Sequence, residues 1–324
     1  MVHCSLKKGV CWMNGQAVIV RKPKDTKRRN RQQLRYAVNL CCLYGIAAVS
    51  LHLLLSLISS QAAGNYVLFY CLDIFSSIVG SLAPALALAH MGRGIRKYLY
   101  TPSRRKTTPF DSFVLVVFGL CGCMVANMLC TILDSYLPDV SNRVYISFAG
   151  TFGNFLLMLT ASAVVPAICE EIPCRGYLYG MMAPYGHLTS ILLSSFIFGM
   201  MHSSFNAALF AFICGCIFGC IRKTSNRFWL SVIVHFLNNA LSTIGVFIRV
   251  NAGSENYVSF LRISSTVALF LFAGSIFLLY RRRVRILHFR KCPFPLRKRE
   301  KLWVILTTPV FWVFILIAVM VKFL

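Results

Sequence analysis

Long apolar runs recur along almost the whole chain. They occupy residues 37–59, 66–92, 113–133, 144–184, 188–203, 206–221, 228–249, 263–281 and 303–323. A helix needs about 20 predominantly apolar residues to cross the hydrocarbon core of a bilayer, and most of these runs approach or exceed that length. The sequence therefore predicts an all-α fold, a polytopic helical membrane protein with about eight or nine transmembrane helices.

The composition agrees with that class and excludes others. Hydrophobic residues make up 57% of the 324 residues and charged residues only 13%, whereas soluble domains contain about 45–50% apolar and about 25% charged residues. A soluble enzyme, a disordered chain and a nucleic-acid-binding module are all poor fits. Most of the 14 cysteines lie inside apolar runs without paired CxxC spacing, so we expect no cysteine metal site.

The net charge of +25 is concentrated between the apolar runs. Of the 34 Lys and Arg residues, 29 lie in four stretches: 1–40, 93–106, 222–227 and 281–302. Basic segments of membrane proteins face the cytoplasm. Nine crossings from an inside N-terminus place loops 93–112, 222–227 and 282–302 inside and loops 60–65, 134–143 and 250–262 outside. We therefore expect an N-in, C-out topology and contact with anionic headgroups, and no nucleic-acid partner.

The chain divides into four predicted regions. Residues 1–36 form a basic cytoplasmic arm, and 37–143 form the N-terminal transmembrane helices. A core region that holds most of the intramembrane polar residues is expected at 144–250, and 251–324 form the C-terminal helices with the basic cytoplasmic loop 282–302.

Most ionisable side chains within the apolar runs are confined to one third of the chain. Each costs roughly 2.5–3.5 kcal/mol at the centre of a membrane helix, so a cluster indicates a polar site facing the bundle interior. His52 and Asp73 are isolated, and we expect a neighbouring helix to satisfy each. The cluster comprises Glu170, Glu171, Arg175, His202, His235, Asn238 and Asn239.

Helical spacing separates the roles of these residues. Glu171 and Arg175 are four apart, share a face and can form a shielded ion pair. Glu170 points about 100° away, so it stays available for chemistry. His235 and Asn239 also project together.

Two prolines and the turn at Gly186 predict a cavity beside the polar cluster. Pro166 and Pro173 bracket the two glutamates and bend the helix, which membranes tolerate where a cavity is lined. Glu170 and His202 lie at equal distances on either side of Gly186, so a helical hairpin brings them to one level. We expect a water-accessible cavity that opens towards the cytoplasmic half or sideways to lipid.

Three motifs in this order resemble the CPBP family of intramembrane proteases, also called the Abi or CAAX-protease-like family. Residues 170–176 fit EExxxRG, 198–202 fit FxxxH and 235–239 fit HxxxN. The resemblance covers roughly residues 150–245. Pro173 and Cys174 depart from the apolar residues that the family usually carries before the Arg.

The resemblance implies that Glu170 is the catalytic carboxylate and acts with His202 on a water molecule. Glu171 and Arg175 would support the site, and His235 and Asn239 would complete it as oxyanion donors. Two His and one Glu are also a known catalytic zinc set. A zinc ion held by Glu170, His202 and His235 and direct activation of water by Glu and His therefore both remain open.

The implied substrate is a peptide or a membrane-anchored protein. Eukaryotic relatives trim three residues after a prenylated Cys, whereas bacterial relatives are linked to bacteriocin processing and self-immunity. The short loops favour a bacterial cytoplasmic membrane. The alternatives are a non-proteolytic membrane scaffold or bacteriocin self-immunity factor of the same fold, and a transporter or proton relay, although no inverted repeat is visible.

Overall fold

A computed structural model describes residues 3–5, 10–13, 16–19, 23–62, 64–91, 107–136, 150–289 and 296–323. The predicted basic stretch at 93–106 and the predicted region boundary at 143/144 lie outside the described residues. So do residues 290–295 of the basic loop 282–302.

Helices dominate the described chain and are named here in chain order. They are α1 (Pro23–Ser60), α2 (Tyr66–Ser77), α3 (Ala83–Met91), α4 (Pro109–Tyr136), α5 (Phe152–Leu159), α6 (Val165–Glu171), α7 (Tyr179–Met182), α8 (His187–Met200), α9 (Phe205–Ser225), α10 (Phe228–Arg281), α11 (Lys298–Leu306) and α12 (Pro309–Met320). Three wide π-helical segments join consecutive helices: Ile78–Leu82, Thr160–Val164 and Ile172–Leu178. Single 3₁₀ turns occupy Ala183–Tyr185 and Val321–Phe323.

Short strands in the N-terminal arm were not anticipated from the sequence. They are β1 (His3–Ser5), β2 (Val10–Met13) and β3 (Gln16–Ile19), which form an antiparallel sheet in the order β1-β2-β3. Helix α1 also begins earlier than the first apolar run. Lys27 and Arg31 in its added turns each lie 2.6 Å from Glu300, so ion pairs hold this polar part of the helix.

The length and apolarity of the helices confirm the predicted membrane class. Within the described residues, six helices are long and apolar enough to cross a bilayer, and a seventh is counted if the bent pair α11 and α12 is one span. Helix α8 is a shorter apolar helix of 14 residues. The protein is an integral, polytopic, all-α membrane protein.

Helix α10 folds back on itself. Its 54 residues would extend about 81 Å if straight, yet both of its ends contact the start of α4. Arg227 donates to the Thr107 carbonyl at 3.4 Å, and Arg282 Nε lies 2.5 Å from Asp111 Oδ1. The reversal is at Gly253, whose φ of 85° is accessible to glycine at little cost.

The two limbs of α10 correspond to the predicted runs 228–249 and 263–281. The described helices run back and forth between two faces. By length and apolarity they provide six or seven candidate spans, fewer than the eight or nine predicted, because α8 is short and α10 is continuous across two predicted runs.

The basic segments meet on one of these faces. Lys223 donates to the Ile286 carbonyl at 2.6 Å, and the Arg222 guanidinium lies 5.8 Å from the Tyr179 ring centroid. Lys301 donates to the Tyr185 carbonyl. We call this the basic face, formed by residues 27–35, 107–111, 179–187, 222–227, 281–286 and 297–301. The opposite face comprises residues 60–62, 64–66, 150–152, 201–205 and 321–323.

Candidate functional site

The two adjacent glutamates lie at the end of α6, between two π-helical segments. Pro166 and Pro173 cause this local widening, because proline lacks an N–H and its ring collides with the preceding turn. π-helical turns inside α-helices often occur at functional sites. Two wide turns therefore flank Glu170 and Glu171 at the two prolines, and the predicted bend stays a prediction.

Glu171 forms the predicted ion pair with Arg175. Arg175 Nη1 donates to Glu171 Oε1 at 2.8 Å, and neither side chain is exposed. The guanidinium also lies 4.4 Å from the ring centroid of Phe198 and 5.2 Å from that of Phe218. A Cβ at Gly215 would come within 2.7 Å of Arg175 Nη2, so the glycine makes room for this cation.

His235 lies between the two glutamates. Its Nδ1 is 3.3 Å from Glu171 Oε1, and its Nε2 is 3.9 Å from Glu170 Oε2. The imidazole stacks on Phe218 with ring centroids 5.2 Å apart. One ring nitrogen therefore faces the buried ion pair and the other faces the second carboxylate.

His202 lies just beyond α8, in the turn that leads to α9. Its Nδ1 donates to the Phe198 carbonyl at 2.9 Å, which in the neutral ring leaves Nε2 to accept a proton. Lys322 donates to the backbone carbonyl of His202 and, at 3.5 Å, to that of Met200. Such a cation satisfies carbonyls that a helix C-terminus leaves without partners.

A cavity of about 740 Å³ contains Glu170 and His202 in its wall. The predicted helical hairpin therefore brings these two residues to a shared cavity. His52, Asp73 and Lys322 also line it.

The neighbouring helix satisfies His52, as predicted. Its ring nitrogens lie 3.1 Å from Ser81 Oγ and 3.3 Å from Ser76 Oγ. Asp73 was likewise expected to be isolated, but the structure places it in the wall of the same cavity as Glu170.

The lining of the cavity reaches the ends of several helices. Its α1 lining runs from Val49 to Ser60, and it also includes Ser203 and Phe323. The opening towards the cytoplasmic half or sideways to lipid stays a prediction.

Asn239 lies outside the cavity lining. Its amide donates to the Ser162 carbonyl at 3.1 Å, and Asn238 donates to its Oδ1 at 3.2 Å. Asn239 thus joins α10 to the wide segment Thr160–Val164. Its role as an oxyanion donor stays a prediction.

The predicted zinc ligands are not gathered as a metal site. Among the residues that the structure describes, no three His, Cys, Asp or Glu side chains are grouped so that they could hold a metal ion. Glu170, His202 and His235 therefore do not fit a three-ligand zinc site as placed, and we derive no step through a metal.

Three residues near the site were missed by the sequence analysis. Lys322 carried a usable signal, because it is the only charged residue in the apolar run 303–323. Phe218 and Gly215 carried none, since an aromatic residue and a glycine in an apolar helix are ordinary.

Comparison with known proteins found one family model that matches part of the chain. The family model for the type II CAAX prenyl endopeptidase Rce1-like proteins matches residues 152–241. This model belongs to the CPBP/CAAX protease family. The matched segment begins at α5 and contains all six predicted catalytic and supporting residues. No curated protein and no solved structure matches the chain.

Proposed function

We propose that the protein is an intramembrane endopeptidase that hydrolyses a peptide bond with a water molecule activated by Glu170 and His202. One observation carries this proposal. Of two adjacent glutamates, Glu171 is fully buried in an ion pair, whereas Glu170 reaches a cavity that His202 also lines. The match to a protease family model supports the same reaction class.

The side chains suit general acid–base hydrolysis. Glu170 would take a proton from water as the water oxygen bonds to the substrate carbonyl carbon, and it would return that proton to the leaving nitrogen as the C–N bond breaks. The Phe198 carbonyl fixes the His202 ring, so its Nε2 can hold the water. His235 would stabilise the oxyanion, with Asn239 as a second predicted donor.

The proposed substrate is a small peptide or a membrane-anchored protein. The matching family model describes type II CAAX prenyl endopeptidases, which suggests prenylated CAAX substrates, and bacteriocin processing is the alternative within the wider family. The proposed location is a bacterial cytoplasmic membrane with an N-in, C-out topology, in contact with anionic headgroups.

Cleavage by the purified protein tests the proposal. We expect the detergent-solubilised protein to cleave members of a quenched fluorescent peptide library. Glu170→Gln should lower the rate about 10²–10⁴-fold, the usual contribution of a general acid–base residue. Glu255→Gln is the matched control, because Glu255 is exposed near the reversal of α10 and far along that helix from His235.

Two further measurements separate the alternatives. A non-proteolytic scaffold or immunity factor would keep its function in Glu170→Gln, and a proton relay would give proton flux in liposomes without cleavage. Elemental analysis before and after chelation addresses the metal. Loss of one zinc together with activity would support a metalloprotease, whereas activity that survives without metal would support direct activation of water.

A further inference from the structure

A second cavity lies apart from Glu170, between α4, α9, the end of α10 and the segment that follows α10. Its volume is about 1170 Å³, and it shares no lining residue with the cavity of Glu170 and His202. The helices supply apolar side chains to its wall: Phe118, Ile213, Ile217, Ile276 and Leu279. This cavity plays no part in the proposed hydrolysis, so another ligand has to be considered for it.

The apolar wall is about as long as one leaflet of a bilayer is thick. On α9 it extends from Ile213 to Cys220, and Lys223, at the end of that helix, lies about 15 Å from Ile213 along it. The hydrocarbon core measures about 30 Å, so one leaflet contributes about half of that. On α10, the lining residues Ile276 and Tyr280 are 47% and 79% exposed. An acyl chain can therefore enter this groove from the side and lie along it.

A basic segment lies across one end of the groove. The chain turns at Arg283, whose backbone is left-handed with a φ of 55°. Lys223 then holds the segment by donating to the Arg285 and Ile286 carbonyls at 3.2 and 2.6 Å. The segment and the last turn of α10 add basic side chains to the lining: Arg281, Arg283, Arg285 and His288.

The described lining of this cavity contains no carboxylate. Asp111 is already paired with Arg282, and Glu300 is paired with cations of α1. Arg281 and Arg285 are both exposed. A guanidinium presents its N–H groups in a planar fork that matches two oxygens of a phosphate. The cavity thus combines an apolar wall of leaflet length with a cationic end.

We propose that this cavity binds one anionic glycerophospholipid, with an acyl chain along α9 and α10 and the phosphate against Arg281 and Arg285. Basic pockets beside membrane helices recognise anionic headgroups in this way. The arginines select the headgroup by charge, and the apolar wall requires a ligand that carries a chain. This lipid site goes beyond the proposed function and does not depend on peptide cleavage.

Native mass spectrometry of the detergent-solubilised full chain measures the binding. The probes are phosphatidylglycerol, phosphatidylcholine with the same acyl chains, and glycerol phosphate, which is a headgroup without chains. We expect one tightly bound phosphatidylglycerol, with a Kd at least roughly tenfold below that of phosphatidylcholine. Equal affinity for the two lipids would overturn the proposal. Glycerol phosphate that binds as tightly as phosphatidylglycerol would also overturn it, because the site would then serve a free phosphate.

The double variant Arg281→Gln/Arg285→Gln removes both predicted phosphate contacts. We expect the Kd for phosphatidylglycerol to rise roughly 30-fold and the preference over phosphatidylcholine to disappear. Arg28→Gln/Arg29→Gln is the matched control, because these exposed residues of α1 lie outside the lining and the net charge falls equally. Equal weakening in both double variants would indicate general attraction to a basic surface and would refute a defined site.

Ile276→Trp tests the apolar wall without changing the charge. The indole would occupy part of the groove, and we expect phosphatidylglycerol to bind roughly tenfold more weakly. Phe270→Trp is the control, since Phe270 is exposed on the same limb of α10 but lies outside the lining. Unchanged binding in Ile276→Trp would refute the placement of the chain. Thermal unfolding without lipid verifies that each variant is folded, and if the arginine variant does not fold, the tryptophan pair decides the outcome.

Discussion

Polar side chains on the two sides of this site differ in how far they are buried and in whether they are paired. Towards the basic face, Glu171 and Arg175 are completely enclosed, and their charges neutralise each other among aromatic rings. Towards the opposite face, Glu170 shares an open cavity with His202 and Asp73. Burial forces strict pairing, whereas a wet cavity lets a carboxylate remain available. A rotation of one residue along the helix is enough to move a glutamate from the first environment to the second.

Replacing each glutamate by glutamine in turn tests this difference between Glu170 and Glu171 most directly. Glu171→Gln leaves the Arg175 charge buried and unpaired, which commonly costs about 3–5 kcal/mol. We expect a large loss of folded yield and a lower midpoint of thermal unfolding. Glu170→Gln should leave both measurements close to those of the parent while peptide cleavage is lost.

Arg175→Ala should resemble Glu171→Gln, because it leaves the other member of the pair without its partner. The double variant Glu171→Gln/Arg175→Met should recover part of the lost stability, since no unpaired charge remains. If Glu170→Gln misfolds and Arg175→Ala is well expressed, the two assignments are wrong.

Crowding the enclosed side should have the next largest effect. In Gly215→Ala the new Cβ would lie 2.7 Å from Arg175 Nη2 and 2.9 Å from Ser195 Cβ. Overpacking of this kind costs about 1–3 kcal/mol, and we expect a matching fall in thermal stability. Gly274→Ala is the control, because its Cβ would meet nothing within 4 Å. Equal stability of both variants would show that the arginine side chain is not confined.

On the cavity side, Lys322→Met tests whether the lysine positions His202. A cation at a partly buried helix C-terminus contributes up to about 2 kcal/mol, and we expect kcat to fall roughly tenfold with KM little changed. Lys322→Arg should restore most of kcat, because it keeps a donor and a charge at the α8 carbonyls. A fall in folded yield with unchanged kcat would instead indicate a structural role only.

The smallest expected effect concerns the hydrogen bond by which Asn239 joins α10 to the wide segment Thr160–Val164. Asn239→Ala removes the bond to the Ser162 carbonyl, and a bond of this kind is worth about 0.5–1.5 kcal/mol. A direct oxyanion role would add a fall in kcat that exceeds this loss of stability. Thr243→Val is a useful comparison, because the Thr243 hydroxyl donates only to the Asn239 carbonyl of its own helix. Similar kinetics for both variants would assign Asn239 to the scaffold.

Local rules explain which features the sequence could predict. Helix periodicity predicts the apolar runs and the pair Glu171–Arg175. The shared cavity of Glu170 and His202 follows from their equal distance in sequence on either side of the turn at Gly186. The reversal inside α10 was anticipated as a gap between two runs, although the structure confines it to Gly253.

Features that depend on distant contacts could not be read in the same way. The place of Lys322 beneath His202 requires α12 to pack beside α8, and no periodicity reports such a neighbour. The place of Asp73 in the cavity wall and the burial of Tyr177 and Tyr179 depend on how helices pack against each other.

The contact between Lys322 and His202 has a consequence for synthesis. The two residues are 120 positions apart, so a ribosome working at about 5–20 residues per second makes the lysine roughly 6–24 s after the histidine. During that interval the α8 carbonyls must rely on water, lipid headgroups or an insertion factor. The newly inserted polypeptide therefore completes the wall of this cavity late, when the bilayer has already received the helices that carry the glutamates.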